Sequence, residues 1–291
     1  MEIIIDERSG FCFGVERAIK MAEKEAESVD RLYCLGEIVH NSEEVNRLRN
    51  KGIEFITREK YFTLKNCNVL IRAHGEPPET YKYAVENHLK LIDATCPVVL
   101  RLQDKVKRVV QNTNNGQVVI YGKKDHPEVI GLVGQVSNAL VIESMEELSQ
   151  INLSLPIFLF AQTTKERAKY ESIKQELIKR LKESGNSVSN LVISNSICGL
   201  VANKAPWLAE FSRTVDALIF VGDKSSSNSR VLFEVCKTNN PFSYFVTGLG
   251  DIKVDDIKGV QKLGISGATS TPSWLINDIA QHIKTLFPHH N

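Results

Sequence analysis

Short apolar runs alternate with helical patterns from one end of this chain to the other, and that alternation constrains its fold more than any other feature. It is the βαβα pattern of a mainly parallel α/β architecture. Runs at Arg31–Leu35, Val69–Ile71, Val118–Tyr121, Ile157–Phe160, Ala217–Val221 and Lys262–Ile265 read as strands. Three more, at Ile3–Ile5, Leu91–Ile92 and Leu191–Ile193, each precede a cysteine. After Cys12, residues Val15, Ala18, Ile19, Ala22 and Ala26 recur at helical spacing. After Cys96, residues Val99, Leu102, Val106, Val109 and Val110 do the same, and Pro97 suits a first helical position. In the third unit Pro206 predicts that the helix carrying Trp207, Leu208 and Phe211 starts there, which leaves Cys198 on a loop.

A chain of 291 residues exceeds what one hydrophobic core usually organises. The cysteine positions divide it into three expected lobes: 1–95, 96–195 and 196–271, with 272–291 as a C-terminal segment packing back on them. Cys12, Cys96 and Cys198 each stand just past an apolar run, among Gly, Pro or polar neighbours that mark a turn. Three similar lobes would each deliver one thiolate to a common centre. A helix N-terminus favours the thiolate form that binds metal. Three thiolates suit an iron–sulfur cluster with one open iron, since electron-transfer clusters usually take four cysteines. Structural zinc sites show close Cys-x-x-Cys pairs, and this chain has none. Cys34, Cys67 and Cys236 lie inside runs reading as strand or helix and are expected to be small core residues.

A polar cluster follows most of the predicted strands at once, on the edge where parallel sheets bind ligands. These clusters supply His40, His74, His126 with Glu128, Thr163 with Thr164, and the run Ser225-Ser226-Ser227-Asn228-Ser229. That run follows Leu218–Val221 and precedes a helical pattern, a phosphate-binding arrangement. Ser270, before Pro272 and another helical start, offers a second anion contact. No Gly-x-x-x-x-Gly-Lys-Ser/Thr sequence accompanies the cradle, so a smaller phosphorylated ligand fits better than a nucleoside triphosphate.

Net charge is +1, from 36 basic and 35 acidic residues, which gives no electrostatic case for nucleic acid or anionic membrane. The opening Met-Glu-Ile-Ile-Ile-Asp-Glu lacks the pattern of a signal peptide. No apolar stretch approaches the ~18 residues of a membrane span. A cytoplasmic protein is expected, where cysteines are more often ligands or catalysts than disulfide partners. The final Pro-His-His-Asn, with His289 and His290, reads as a ragged end rather than a metal site.

With these elements in this order, the chain resembles the 4-hydroxy-3-methylbut-2-enyl diphosphate reductase (IspH/LytB) family. Gly-Phe-Cys-Phe-Gly-Val, Ala-His-Gly, Asp-Ala-Thr-Cys-Pro, His-Pro-Glu, Gln-Thr-Thr and Ser-Ser-Asn-Ser carry the resemblance, which runs from Gly10 to about Trp274. It implies three similar parallel-sheet α/β lobes around a central [4Fe–4S] cluster, held by Cys12, Cys96 and Cys198 with one iron open. It implies substrate contacts at His40, His74, His126, Thr163, Ser226, Ser227, Asn228 and Ser270. Glu128 would deliver protons, with Thr163 and His126 completing the catalytic set. The implied reaction reductively dehydroxylates the diphosphate to isopentenyl and dimethylallyl diphosphate, the last step of the non-mevalonate (methylerythritol phosphate) pathway. A ferredoxin- or flavodoxin-type protein would supply the electrons.

One departure stands out: where the family often carries Asn-Arg-Gln after the third cysteine, this chain has Asn203-Lys204-Ala205. That puts contacts behind the cluster ligand in doubt. Two other readings remain. A non-catalytic iron–sulfur redox sensor explains the cysteines but leaves Glu128, Thr163 and the serine cradle without work. A zinc-dependent hydrolase of a phosphorylated substrate is the second.

Overall fold

A computed structural model describes the chain apart from residues 113–115, 225 and 288–291 and the side chains of 110–112 and 227. Val110, Ser225, the Ser227 side chain, His289 and His290 thus lie outside the described residues. The strands are β1 (Glu2–Ile5), β2 (Leu32–Leu35), β3 (Ile53–Ile56), β4 (Asn68–Ile71), β5 (Lys90–Asp93), β6 (Gln117–Tyr121), β7 (Ala139–Ile142), β8 (Ile157–Ala161), β9 (Leu191–Ile193), β10 (Ala217–Val221), β11 (Ser243–Val246) and β12 (Lys262–Gly267). The helices are α1 (Phe13–Ala26), α2 (Ser42–Asn50), α3 (Arg58–Tyr61), α4 (Pro78–Glu86), α5 (Pro97–Asn112), α6 (Pro127–Val133), α7 (Arg167–Glu183), α8 (Gly199–Arg213), α9 (Ser227–Asn239), α10 (Val254–Ile257) and α11 (Ser273–Leu286). No helix among the described residues is long and apolar enough to cross a membrane.

The strands form three four-stranded sheets, in the orders β3-β2-β4-β5, β7-β6-β8-β9 and β11-β10-β12-β1. Three parallel-sheet α/β lobes are therefore present, as the alternation predicts. Counted from β2, β6 and β10, with β1 taking the fourth place in the last sheet, each sheet follows one scheme: its first and third strands sit at the centre, and its second and fourth sit at the edges. Central strands are buried on both faces, which is why β6, β8 and β10 read as near-continuous apolar runs. In the sheet of β6–β9, Val119 and Leu159 pack with Tyr170, Ile173 and Leu177 of α7. Its other face sets Val118 and Ile120 against Leu102 and Val106 of α5 and Leu132 of α6. The β10–β12 sheet is covered on one face by Leu275, Ile279 and Ile283 of α11. Leu208 of α8 and Leu232 and Cys236 of α9 cover the other.

By contact the chain divides into two compact units, Met1–Ile56 with Asn203–Asn291, and Thr57–Ala202. Grouping by cysteine position placed residues 1–95 together, but β1 runs parallel to β12, with Glu2 opposite Lys262 and Ile5 opposite Ile265. The stretch 196–271 holds only three strands of its own, and Ile3–Ile5 cover the open edge of β12. The segment beyond 271 contributes α11 to the core of that same sheet.

The repeat extends to individual backbone hydrogen bonds. One residue past the first strand of each sheet stands a glycine whose N–H donates to the last carbonyl of the second strand. These bonds run from Gly36 to Ile56 (2.8 Å), Gly122 to Ile142 (3.0 Å) and Gly222 to Val246 (3.0 Å). At two of them the following helix comes too close for a side chain. A Cβ on Gly122 would lie 2.5 Å from Val129 Cγ2, and one on Gly222 would lie 3.0 Å from Ser229 Cβ. Glycine lets the first helical turn seat against the strand end.

Candidate active site

Each of the three cysteines occupies the same station of this repeat. Cys12, Cys96 and Cys198 immediately precede α1, α5 and α8. Their carbonyls accept the first helical N–H, from Glu16 (3.0 Å), Leu100 (2.9 Å) and Ala202 (2.9 Å). Their own N–H groups donate to carbonyls two residues past the third strand of a sheet: Thr269 (3.3 Å), Ala73 (3.0 Å) and Thr163 (2.8 Å). Backbone bonds at both ends fix where each thiol starts. None of the three is in a disulfide, and all are partly accessible.

This corrects the expectation that Cys198 lies on a loop with the helix starting at Pro206. Pro206 is inside α8, which begins at Gly199. Proline usually stops a helix because it lacks an N–H and crowds the preceding turn. Here the helix is held from outside. Lys204, buried between its neighbours, donates Nζ to the Arg8 carbonyl (2.5 Å) and stands 3.5 Å from Asp6 Oδ2. Asp6 in turn accepts from Ser266 Oγ (2.7 Å) and the Arg8 N–H (3.0 Å). Burial lowers the Lys204 pKa, and Asp6 opposes that shift. The departure at Lys204 thus places a buried cation on the turn that leads to Cys12. The remaining cysteines differ in kind. Cys34 lies in β2 and Cys236 in α9, both buried, while Cys67 stands one residue before β4. Burial raises the Cys67 thiol and pushes Cys236 up to about 12, so both stay protonated.

In the unit of residues 57–202, the acid site is built from the loops after β6 and β8. Glu128, in the first turn of α6, is 1% exposed. Its Oε1 accepts the Thr163 N–H (2.6 Å) and its Oε2 accepts the Thr163 hydroxyl (2.7 Å). Burial raises its pKa to about 7, against the opposing effect of the two Thr163 bonds. His126 caps α6, its Nδ1 accepting the Glu128 N–H (3.2 Å), which places the imidazole proton on Nε2. The rings of His126 and His74 meet edge to face, with centroids 5.2 Å apart. Sequence reasoning missed Gln162 as a support. Its Oε1 accepts the Lys123 N–H (3.1 Å) and its Nε2 donates to Thr164 Oγ1 (2.8 Å), which ties the His126 loop to the Thr163 loop. Its place in Gln-Thr-Thr was the available signal.

In the unit of residues 1–56 and 203–291, the hydroxyl cradle follows β10 and β12. Ser226 caps α9, its Oγ accepting the Ser229 N–H (3.2 Å), which leaves its hydroxyl hydrogen for a ligand. Asn228 Nδ2 reaches Thr269 Oγ1 (3.4 Å) and so joins the two loops. The hydroxyls of Ser229 and Ser270 are buried with no hydrogen-bond partner among the described residues. Buried polar groups are normally paired, which makes these two hydroxyls exceptions. Ser227 opens α9, its side chain outside the described residues. His40 is exposed and precedes Asn41, whose Oδ1 accepts the Glu44 N–H to cap α2 (3.0 Å). Within α2, the fully buried Glu44 is held by Arg47 (2.6 and 2.9 Å) and by Trp274 Nε1 (2.6 Å).

The fold is that of an α/β protein built of repeated parallel sheets, with a cysteine immediately before each of three helices. The chain belongs to the LytB protein family, which matches over residues 3–284. It is 47% identical to the 4-hydroxy-3-methylbut-2-enyl diphosphate reductase of Porphyromonas gingivalis, over 98% of this chain and 99% of that one. Identity to the enzyme of the same name from Parabacteroides distasonis is 45%, over 98% of both chains. Among solved structures, an (E)-4-hydroxy-3-methyl-but-2-enyl diphosphate reductase described as the terminal enzyme of the non-mevalonate pathway superposes with a TM-score of 0.77. It is 32% identical, and the match covers 98% of this chain and all of that one. The corresponding reductase of Plasmodium falciparum gives a TM-score of 0.82 at 25% identity, covering 97% of this chain and 88% of the other.

Proposed function

We propose that this chain is an iron–sulfur reductase that converts 4-hydroxy-3-methylbut-2-enyl diphosphate to isopentenyl and dimethylallyl diphosphate. Two electrons and two protons enter and one water leaves. The observation that carries the reading is the threefold repetition of a cysteine at a helix start, outside any disulfide and held by the same two backbone bonds each time. Those residues fit the group: Cys12, Cys96 and Cys198 would hold a [4Fe–4S] cluster with one iron open. When bound, the cluster supplies the reducing equivalents and a Lewis-acidic iron for the substrate hydroxyl.

The chain's own residues do the rest. Glu128, with a pKa of about 7, is a carboxylic acid able to give up its proton near neutrality. When ionised it accepts the Thr163 hydroxyl. When protonated it donates to Thr163 Oγ1 and releases that hydroxyl's hydrogen outward, so the pair can pass a proton to a leaving hydroxyl. His126 presents Nε2–H as a donor, oriented by the Glu128 N–H on its other nitrogen. Ser226, Ser227, Asn228 and Ser270, with His40 and His74, would bind the diphosphate through donors and the α9 N-terminus rather than through a lysine clamp. The electron donor would be of ferredoxin or flavodoxin type, in the cytoplasm.

Purification without oxygen, with iron and sulfide analysis and turnover of the diphosphate under a chemical reductant, tests the proposal. The parent should carry iron and turn over. Cys12→Ser, Cys96→Ser and Cys198→Ser should each abolish turnover, whereas Cys34→Ser, Cys67→Ser and Cys236→Ser should keep iron near the parent level. Zinc in place of iron would support the hydrolase reading, and a loaded cluster without turnover would support the sensor.

A further inference from the structure

A carboxylate inside an anion cradle is electrostatically out of place, and Asp223 is one. It follows Gly222 at the end of β10, three residues before Ser226, and is 8% exposed. Its backbone carbonyl accepts the Ser226 N–H (3.1 Å), so it forms the turn on which the cradle is built. Its side chain reaches a different sheet's loop. Oδ2 accepts both the N–H (2.9 Å) and the hydroxyl (2.7 Å) of Ser42, the first residue of α2. The first N–H groups of a helix have no partner within it, and a carboxylate there is favoured by the helix dipole. α2 is therefore capped twice, by Asn41 from its own chain segment and by Asp223 across 181 residues. Two residues before Ser42 stands His40.

We propose that Asp223 is a positioning residue for the diphosphate site: it fixes the His40 loop to the Ser226–Asn228 loop by capping α2 in trans. The inference rests on the reading of those residues as diphosphate ligands. Both donors and the α2 N-terminus are spent on the carboxylate, which offsets its charge beside an anionic ligand. Remove the carboxylate, and the two loops lose the pair of hydrogen bonds by which Ser42 ties His40's turn to Ser226's turn.

The test uses inorganic diphosphate as the probe, titrated into the iron-loaded protein by calorimetry, alongside KM and kcat for the substrate. Asp223→Ala should weaken diphosphate binding about ten-fold and raise KM similarly, with kcat within about two-fold and iron content unchanged, the size expected for lost hydrogen bonds to a charged group. Asp223→Asn keeps an acceptor for the Ser42 N–H and removes one negative charge, so its affinity should equal or exceed the parent's. In a His40→Ala background the Asp223→Ala effect should shrink to about two-fold or less, because the residue acts through His40's placement. Melting temperature separates loosened loops from a misfolded chain, and Asp223→Asn supplies the variant that keeps the fold. Parent-like binding by Asp223→Ala, or Asp223→Asn falling as far as Asp223→Ala, overturns the proposal. If Ser226→Ala also leaves diphosphate affinity unchanged, the binding-site reading itself is what fails.

Discussion

The loop after β6 and the loop after β10 are the same piece of backbone carrying opposite chemistry. Both start with a glycine bonded to the second strand, and both reach a helix cap four residues later. At the cap stands His126 in one and Ser226 in the other; two residues on stand Glu128 and Asn228. In the first loop burial holds a carboxylic acid near neutrality with a hydroxyl against it. In the second, Ser226, Asn228 and Ser229 carry hydroxyls and an amide, and the acid of the loop, Asp223, has its charge turned onto α2. A helix N-terminus favours an anion in either place. Under the proposed function, the first loop supplies its own carboxylate and the second leaves the place to a ligand's phosphate.

The largest expected difference is catalytic. Glu128→Gln keeps size and hydrogen bonding but has no acid proton, so turnover should fall by roughly 10²–10⁴, with iron content and diphosphate affinity near the parent's. Single-turnover kinetics measure this. A variant that reduces substrate at the parent rate would remove Glu128 from the proton route.

Next is a pH effect on stability. Glu128 binds its proton more tightly folded, at about 7, than at its ordinary value of 4.5. The stability this contributes is complete below the lower value and is lost as pH rises through the higher. In urea unfolding of the metal-free protein, Glu128→Gln should therefore gain on the parent with rising pH, by about 3 kcal/mol in total between pH ~4 and pH ~8. A difference between the two proteins that does not change with pH would contradict a buried acid.

The glycines test whether the two loops share one constraint. Gly122→Ala and Gly222→Ala should each cost about 1–3 kcal/mol by denaturant unfolding, Gly122→Ala more, since its Cβ would approach Val129 to 2.5 Å against 3.0 Å at Gly222. The reverse ranking would mean that the second loop is the tighter one. The smallest effect falls on Ser226→Ala. It should lose a helix cap worth about 1 kcal/mol in stability and weaken diphosphate binding about ten-fold. Loss of stability with unchanged binding would leave Ser226 as a cap alone.

The sequence showed the central strands plainly and hid one class of edge strand. β3, β7 and β11 escaped the apolar-run reading, and all three are the second strand of their sheet. Glu54 breaks the apolar pattern of β3 and Ser243 opens β11, whereas β7, Ala139–Ile142, is an apolar run of four residues that was passed over. The helix at Cys198 was hidden by Pro206, because no local signal reveals that Lys204 is anchored to Asp6 and Arg8 some two hundred positions away. The places of Glu128, Thr163 and Ser226 in loops between a strand and a helix were legible from the polar turn residues after each apolar run, whereas the roles given to them came from the family resemblance. Gln162 and Asp223 were not, since their work is to join loops distant in sequence, 39 and 181 residues apart.

The pairing of β1 with β12 also sets an order in time. Residues of β1 leave the ribosome long before their partners about 260 positions later, so Ile3–Ile5 wait through nearly the whole of synthesis without a sheet to join. The N–H of Cys12 waits with them, because its acceptor is Thr269. Cys96 and Cys198 find their backbone partners within their own stretch of chain. Two of the three thiols can therefore be set during translation, and the third only at its end. With the three thiols as the proposed cluster ligands, loading would be a late, post-translational event, and a chain arrested before residue 262 should expose an unpaired isoleucine strand to whatever chaperone or aggregate meets it first.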